Sequence, residues 1–115
     1  MELRLSRLYL YNEHVDFRKS INGLSELFSR EVGGKLELGM GCLFYNVHNN
    51  KLKLLHVDSY GLCLWQKRFE ERRFKIGSHF SRFSLIGEDE LLWLRSGLDL
   101  GVFDYDLCRK LVHFY

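Results

Sequence analysis

The chain of 115 residues contains no proline, only three cysteines and no long apolar run. A helix that crosses a bilayer needs roughly 18 to 20 consecutive apolar residues, and no segment reaches that length. The N-terminal stretch MELRLSRLYL carries charges where a signal peptide has an unbroken apolar core. These absences predict a cytoplasmic protein with no membrane association.

The three cysteines, Cys42, Cys63 and Cys108, are odd in number and widely separated. This spacing fits neither a disulfide framework nor a zinc site of the CxxC type. The histidines lack HxxH or HxxxH spacing, and the glycines lack the strand-to-helix context of a phosphate-binding or nucleophile motif. We therefore predict reduced cysteines that serve in packing, no metal site and no cofactor.

What the sequence does contain is enough apolar residues for one core. Hydrophobic residues make up 46% and aromatic residues 15% of the chain, and this length accommodates one compact domain better than two. No Ser/Gly-rich linker, internal repeat or low-complexity segment divides it. The prediction is a single domain over residues 1–115.

The apolar patterns predict an α+β fold with two helices. A short strand is expected at Leu8–Tyr11. Asp16 is expected to cap a first helix, whose apolar residues follow the helical period and which ends at Gly33 and Gly34. A second helix is expected to begin near the acidic triplet at 88–90, because carboxylates favour the positive N-terminus of a helix. The closing segment fits a strand as well as a helix.

The middle of the chain predicts an antiparallel meander of four to five strands, packed with the two helices. The runs CLFYNV and KLKLLHV read as strands joined by the turn HNN, since asparagine tolerates a positive φ. The turn DSYG begins at Asp58 and leads into a strand over Leu62–Phe69 and a returning segment, RRFKI. KLKLLHV alternates as a half-buried strand does, whereas LCLW predicts a strand that is covered on both faces or lies at the sheet centre.

Charge is distributed unevenly along the chain. Residues 51–82 carry eight Lys or Arg against three Asp or Glu, while residues 83–115 carry three against six. A basic middle segment fits an anionic partner, although the acidic last third could also fold back and neutralise it. Five of the cations cluster where the apolar run LCLW ends: Lys67, Arg68, Arg72, Arg73 and Lys75.

Two interpretations of this basic cluster are open. With Phe69 and Phe74 interleaved, the cations suit phosphate contacts and base stacking on a nucleic acid. Alternatively, the Lys and Arg stems cover the rim of the sheet and the two aromatic rings join the core. Arg18 and Lys19 add to the first interpretation, because cations in the first helical turn oppose the helix dipole and a bound phosphate would offset this. Otherwise Asp16 and solvent screening suffice.

An enzymatic interpretation rests on three carboxylates, Asp16, Asp58 and Asp99, of the kind that bind Mg²⁺ in nucleases and transposases. Each has a sufficient local role as a helix cap or a turn former, and no motif fixes their mutual geometry. His56 and Asp58 lie on one face of a strand and are expected to form a surface pair. We predict a protein that is not an enzyme.

Three blocks of the sequence together resemble the Orf2-like accessory proteins (TnpB) of bacterial insertion sequences of the insertion-sequence-66 family. They are DFRKSINGLSEL (16–27), GCLFYN with KLKLLHVDSYGLCLWQKRFEERRF (41–74) and ELLWLRSGLD (90–99). The resemblance implies a protein that is encoded beside a separate transposase and supports transposition without catalysing strand transfer. The family's first hairpin turn is typically rich in arginine, whereas this chain keeps only Lys51 and Lys53 there.

We therefore expect a non-catalytic accessory protein of an insertion sequence. A basic hairpin would hold element or target DNA by its phosphates, while an apolar or aromatic surface would dock the transposase or a sister subunit. The alternative is a protein-binding scaffold that never touches DNA. The DNA interpretation requires its cations to share one exposed ledge: Arg18, Lys19, Lys67, Arg68, Arg72, Arg73 and Lys75.

Overall fold

The computed structural model describes residues 5–70, 73–74, 76 and 81–87. Within these ranges the chain forms five strands and one helix. In chain order they are β1 (Arg7–His14), α1 (Ile21–Val32), β2 (Met40–Tyr45), β3 (Lys51–Asp58), β4 (Gly61–Arg68) and β5 (Phe83–Ile86). The α+β class is confirmed, whereas the second predicted helix and the closing segment lie outside the described residues. None of the described residues belongs to a helix long and apolar enough to cross a membrane.

The strands form one sheet in the order β4-β3-β2-β1-β5. The predicted meander is confirmed for β2, β3 and β4, which pair antiparallel in sequence order. The all-antiparallel prediction is wrong for β1 and β2, which pair in parallel. A parallel pair needs a crossover connection, and α1 provides it. The strand β5, which the sequence patterns did not indicate, pairs antiparallel with β1 at the far edge.

Both predicted turns of the meander are present. In the first, Asn49 has a φ of 54°, and the side-chain oxygen of Asn46 accepts the backbone N–H groups of Asn50 and Lys51 at 3.1 and 2.9 Å. In the second, Oδ1 of Asp58 accepts the N–H groups of the residues two and three positions later, at 2.8 and 3.0 Å. Local polar side chains therefore determine where β3 begins and ends.

The start of α1 differs from the prediction. Ser20, not Asp16, is the N-cap residue, and its side chain makes no capping hydrogen bond. Asp16 instead closes a turn of its own, because its Oδ1 accepts the N–H of Arg18 at 2.9 Å. The predicted helix end is confirmed at Gly33, which has a φ of 78° and donates its N–H to the carbonyl of Ser29 at 2.9 Å.

Both faces of the sheet are covered. The residues Leu24, Leu27 and Phe28 of α1 are buried on one face, which we name the helix face. On the opposite face, strand residues pack against Phe69 and Phe74, which follow β4. As a result β3 is buried on both sides along most of its length, and the alternation in KLKLLHV does not mark a solvent-facing side.

The two described cysteines differ in burial. Cys42 is fully buried, as expected for a packing residue, whereas Cys63 is half-buried. Cys108 lies outside the described residues.

The strand β4, which contains LCLW, lies at the sheet edge and not at its centre. Its residues from Leu62 to Trp65 are half-buried, because Leu62 and Leu64 pack on the helix face and Trp65 on the other.

Candidate nucleic-acid interface

The sheet topology brings the described candidate residues to one end of the sheet. The strands β1, β2 and β4 run in the same direction and end there, while β3 runs in the opposite direction and begins there. The connection after β1 carries two of the cations, the start of β3 one, the end of β4 two and the chain after β4 one. We name these residues the cation end: Arg18, Lys19, Lys51, Lys67, Arg68 and Arg73.

Arg73 belongs to the cation end because of its neighbour in sequence. The backbone N–H of Phe74 donates to the carbonyl oxygen of Asn49, in the turn that precedes β3, at 2.9 Å. Arg73 is exposed beside this anchor. Arg72 and Lys75, which belong to the same basic cluster in the sequence, lie outside the described residues.

The cations do not share a single face. Lys51 and Arg68 are paired across β3 and β4. Because side chains alternate between the two faces along a strand, both residues belong to the helix face. Lys67 pairs with Leu52 and belongs to the opposite face, where its Nζ lies 4.9 Å from the ring centre of Phe69. The expected single ledge is therefore split, because adjacent residues of a strand point to opposite sides of the sheet.

Two of the candidate cations form ion pairs with nearby carboxylates. Nη2 of Arg18 lies 2.6 Å from Oδ2 of Asp16, and this hydrogen-bonded guanidinium lowers the pKa of Asp16 to about 2. Nη2 of Arg68 lies 2.8 Å from Oε1 of Glu70. All four side chains are largely exposed to water, so these pairs add little stability and an incoming anion can exchange for the carboxylate.

Lys19, Lys51 and Arg73 differ from these two arginines. In the described part of the chain, no carboxylate oxygen lies within 4.0 Å of the charged group of Lys19, Lys51 or Arg73. The first turn of α1, which follows Lys19, contains no acidic residue. The helix face of the cation end therefore combines cationic side chains with the positive end of a helix dipole.

The two aromatic residues of the basic cluster belong to the core. Phe69 is 8% exposed and Phe74 is 1% exposed. Their ring centres lie 5.7 Å apart, and the ring of Phe74 also lies 6.0 Å from that of Tyr45. The prediction that bases stack on these two rings is therefore wrong. The alternative, that the rings join the core, is confirmed.

A residue that sequence reasoning did not place correctly is Lys53, which is only 6% exposed. Its ammonium donates to the carbonyl oxygens of Phe17 and Lys19, both at 2.8 Å, and lies 4.8 Å from the ring centre of Phe17. Burial lowers the pKa of Lys53, the nearby Lys51 lowers it further and Asp16 opposes the shift. The sequence contains no signal for this role, since alternation suggested a solvent-facing lysine.

The carboxylates of the enzymatic interpretation are far apart. Asp16 follows β1 at the cation end, whereas Asp58 ends β3 at the opposite end. An eight-residue strand separates the two ends, a distance of roughly 25 Å, so the two carboxylates cannot hold one metal ion. Asp99 lies outside the described residues. Among those described, no group of three His, Cys, Asp or Glu residues could hold a metal ion.

The expected surface pair of His56 and Asp58 is also wrong. His56 is 8% exposed, and its Nε2 has no hydrogen-bond partner among the described residues. Burial lowers the pKa of His56, an effect that Asp58 opposes. Asp58 is exposed and engages Cys63 instead, whose Sγ donates to Oδ2 at 3.3 Å. Burial and the hydrogen bond to the Asp58 carboxylate raise the pKa of Cys63, which disfavours a reactive thiolate.

Comparison with known families matches residues 6–104 to the family described as IS66 Orf2 like protein. The matched range contains the five strands and the helix of the described residues. No curated protein and no solved structure matches the chain significantly. The resemblance carried by the three sequence blocks is confirmed.

Proposed function

Because the chain belongs to the IS66 Orf2-like family and is thus an insertion-sequence accessory protein, we propose that it supports transposition by holding DNA phosphates at its cation end. The observation that carries this proposal is the convergence of cations from four separate parts of the chain on one end of the sheet. Phosphate contacts of this kind provide affinity and orientation without reading the base sequence.

Because the described cations do not share the one ledge that was expected, the proposed contact is restricted to the helix face of the cation end. Lys51 and Arg68 lie opposite one another on adjacent strands, which are about 4.8 Å apart. Lys19 is held near them, because its carbonyl oxygen accepts a hydrogen bond from Lys53, two residues after Lys51 on the same strand face. Cations from three segments therefore lie at the same end of this face, as binding along a polyanion requires.

The exposed ion pairs lower the affinity expected from two of the arginines. Phosphates must replace Asp16 at Arg18 and Glu70 at Arg68, so these two arginines supply less net affinity than cations without a carboxylate partner. Stacking of bases on Phe69 and Phe74 does not contribute, since both rings are buried. We expect weak, sequence-independent binding that falls steeply with salt.

A salt series of DNA titrations tests this function. The affinity for a labelled duplex is measured by fluorescence anisotropy for the wild type and for Lys19→Ala/Lys51→Ala. The matched control is Arg7→Ala/Lys35→Ala, which removes the same charge. Arg7 pairs with Met40 at the opposite end of the sheet, and Lys35 lies in the connection leading to Met40.

The slope of log affinity against log salt should fall in magnitude by about 2 in the cation-end variant, one unit for each lost phosphate contact. It should stay near the wild-type value in the control. Absence of binding by the wild type at low salt would refute the proposal. Equal losses in the two variants would show that only net charge matters and that the cation end is not the site.

A second function, docking of the element's transposase, is favoured by exposed apolar residues at the other end of the sheet. Tyr60 is 99% exposed in the turn between β3 and β4, and Leu38 is 65% exposed. Leu38 lies beside the same end of β3, because the N–H of Gly39 donates to the carbonyl of Val57 at 3.3 Å. The cation end and this apolar surface could therefore engage DNA and protein at the same time.

Binding of the purified transposase to immobilised protein tests the docking function. Leu38→Ser/Tyr60→Ser should weaken binding at least tenfold, which corresponds to about 1.4 kcal/mol. Val47→Ser is the control, because Val47 is 62% exposed but lies in the turn at the cation end. Unchanged binding of the double variant would exclude this surface as the docking site.

A further inference from the structure

Lys53 is the buried cation of the helix face, and its ammonium is directed into the protein. It donates to the carbonyl oxygens of Phe17 and Lys19, both at 2.8 Å. The ring of Phe17 covers the ammonium, with 4.8 Å between Nζ and the ring centre. With 6% of its surface exposed, Lys53 presents little of its side chain to a phosphate.

The segment that Lys53 holds is the connection between β1 and α1. The upstream part of this connection is tied to β2, since the N–H of Val15 donates to the carbonyl of Tyr45 at 3.0 Å. Asp16 and Arg18 stabilise only a local turn. The downstream part lacks a capping side chain, because Ser20 makes no such hydrogen bond. The bonds from Lys53 therefore tie this part of the connection to the sheet.

We propose that Lys53 is a positioning residue, whose ammonium fixes the connection between β1 and α1 so that Lys19 lies beside Lys51 at the cation end. Lys53 itself does not contact the nucleic acid. This inference rests on the proposed DNA-binding function for its consequence, but the fixing of the connection can be measured without DNA.

The physical reason for a lysine at this position is the pair of backbone carbonyls. An apolar residue such as methionine would fill a similar volume beside Phe17, but it would leave both oxygen atoms without this donor. Hydrogen bonds from a charged donor are stronger than those between neutral groups. Lys53→Met should therefore release the connection, while Lys53→Arg, which keeps the charge and the donors, should retain much of the constraint.

Limited trypsin digestion reports on the connection directly, because trypsin cuts after Arg18 and Lys19. Mass spectrometry of the full chain over time gives the cleavage rate at these two bonds. We expect Lys53→Met to raise the rate roughly tenfold or more, since cleavage requires local opening of the backbone. The cleavage rate of Lys53→Arg should lie near that of the wild type. Lys51→Met, which removes the neighbouring lysine of the same strand face, should leave the rate unchanged.

DNA affinity then separates positioning from a purely structural role. Under conditions where thermal melts show each variant to be folded, Lys53→Met should weaken duplex binding about as much as Lys19→Ala. The double variant Lys53→Met/Lys19→Ala should be little weaker than either single variant, because both changes remove the same contact. Lys53→Met/Lys51→Ala should instead show additive losses.

The outcomes distinguish this inference from the proposed function. An unchanged cleavage rate in Lys53→Met overturns the inference even if the wild type binds DNA normally. Faster cleavage with unchanged DNA affinity also overturns it, since Lys53 would then be structural only. A wild type that binds no DNA refutes the proposed function, and the positioning role falls with it. If Lys53→Met fails to fold, Lys53→Arg decides the question: a cleavage rate and a DNA affinity near the wild-type values support the inference, and faster cleavage with unchanged DNA affinity overturns it.

Discussion

The backbone N–H of Phe74 donates a 2.9 Å hydrogen bond to the carbonyl oxygen of Asn49. Phe69 makes a similar bond of 2.7 Å to the carbonyl of Asn50. The chain that leaves β4 is thereby fastened to the turn from which β3 begins. This arrangement places two phenylalanine rings over the sheet face opposite α1 and leaves the adjacent Arg73 exposed, so core formation and the position of a cation are linked.

Phe74→Ala should strongly destabilise the protein. The side chain is 1% exposed and packs edge-to-face against Tyr45 and Phe69. Truncation of a buried phenylalanine lowers the free energy of unfolding by about 3–5 kcal/mol, which urea denaturation followed by tryptophan fluorescence would measure. Tyr60→Ala, at a 99% exposed aromatic residue, should change it by less than about 0.5 kcal/mol. Similar effects of the two substitutions would contradict the assignment of Phe74 to the core.

Gly33→Ala should destabilise α1 at its C-terminal end. Gly33 has a φ of 78°, and an L-residue in this left-handed conformation costs about 1 kcal/mol. Gly34→Ala is the matched control, because the next glycine has no such φ and a Cβ there meets no atom within 4 Å. The difference in urea midpoint between the two variants measures the cost of the left-handed cap. A larger loss in the control would show that Gly33 does not end the helix.

Asp58→Ala should weaken the turn between β3 and β4, whereas Asp58→Asn should preserve most of its stability. Oδ1 accepts the N–H groups of Tyr60 and Gly61, and an asparagine oxygen can do the same. These backbone hydrogen bonds lower the pKa of Asp58. Thermal denaturation at neutral pH should rank the melting temperatures as wild type, then Asn, then Ala. Equal losses in Asn and Ala would show that charge, and not acceptance of the two N–H groups, is what the turn needs.

His56 should make stability depend on pH in the mildly acidic range. Burial lowers the pKa of His56 below its ordinary value of 6.5, so the unfolded chain binds its proton more tightly than the folded protein does. The contribution of His56 to the free energy of unfolding is complete above about pH 6.5. It is lost as the pH falls through the pKa of the folded protein, with a slope of at most about 1.4 kcal/mol per pH unit.

The free energy of unfolding should be compared at about pH 7.5 and about pH 5.5. The loss between them should be smaller in His56→Gln than in the wild type, because glutamine does not titrate. His48→Gln changes an exposed histidine and should keep the wild-type difference. A wild-type loss equal to that of His56→Gln would mean that His56 is not buried in its neutral form.

Much of the meander and its turns followed from the sequence, because local interactions determine them. Asn49 accepts a positive φ, Asp58 binds the N–H groups of its own turn, and Gly33 ends the helix. Each of these acts over a few residues, so a short stretch of sequence is sufficient to indicate it. The family resemblance was likewise carried by short blocks of residues.

Contacts between distant segments were decided only by the tertiary structure. The parallel pairing of β1 and β2 brought Arg18 and Lys19 to the end of the sheet where Lys51 and Arg68 lie. The same topology placed Asp16 and Asp58 at opposite ends. Alternation along a strand determines which residues share a face, but not whether another segment covers that face. Lys53 is buried because α1 and its preceding connection lie over its side of the sheet, and that requires residues far apart in the sequence to pack together.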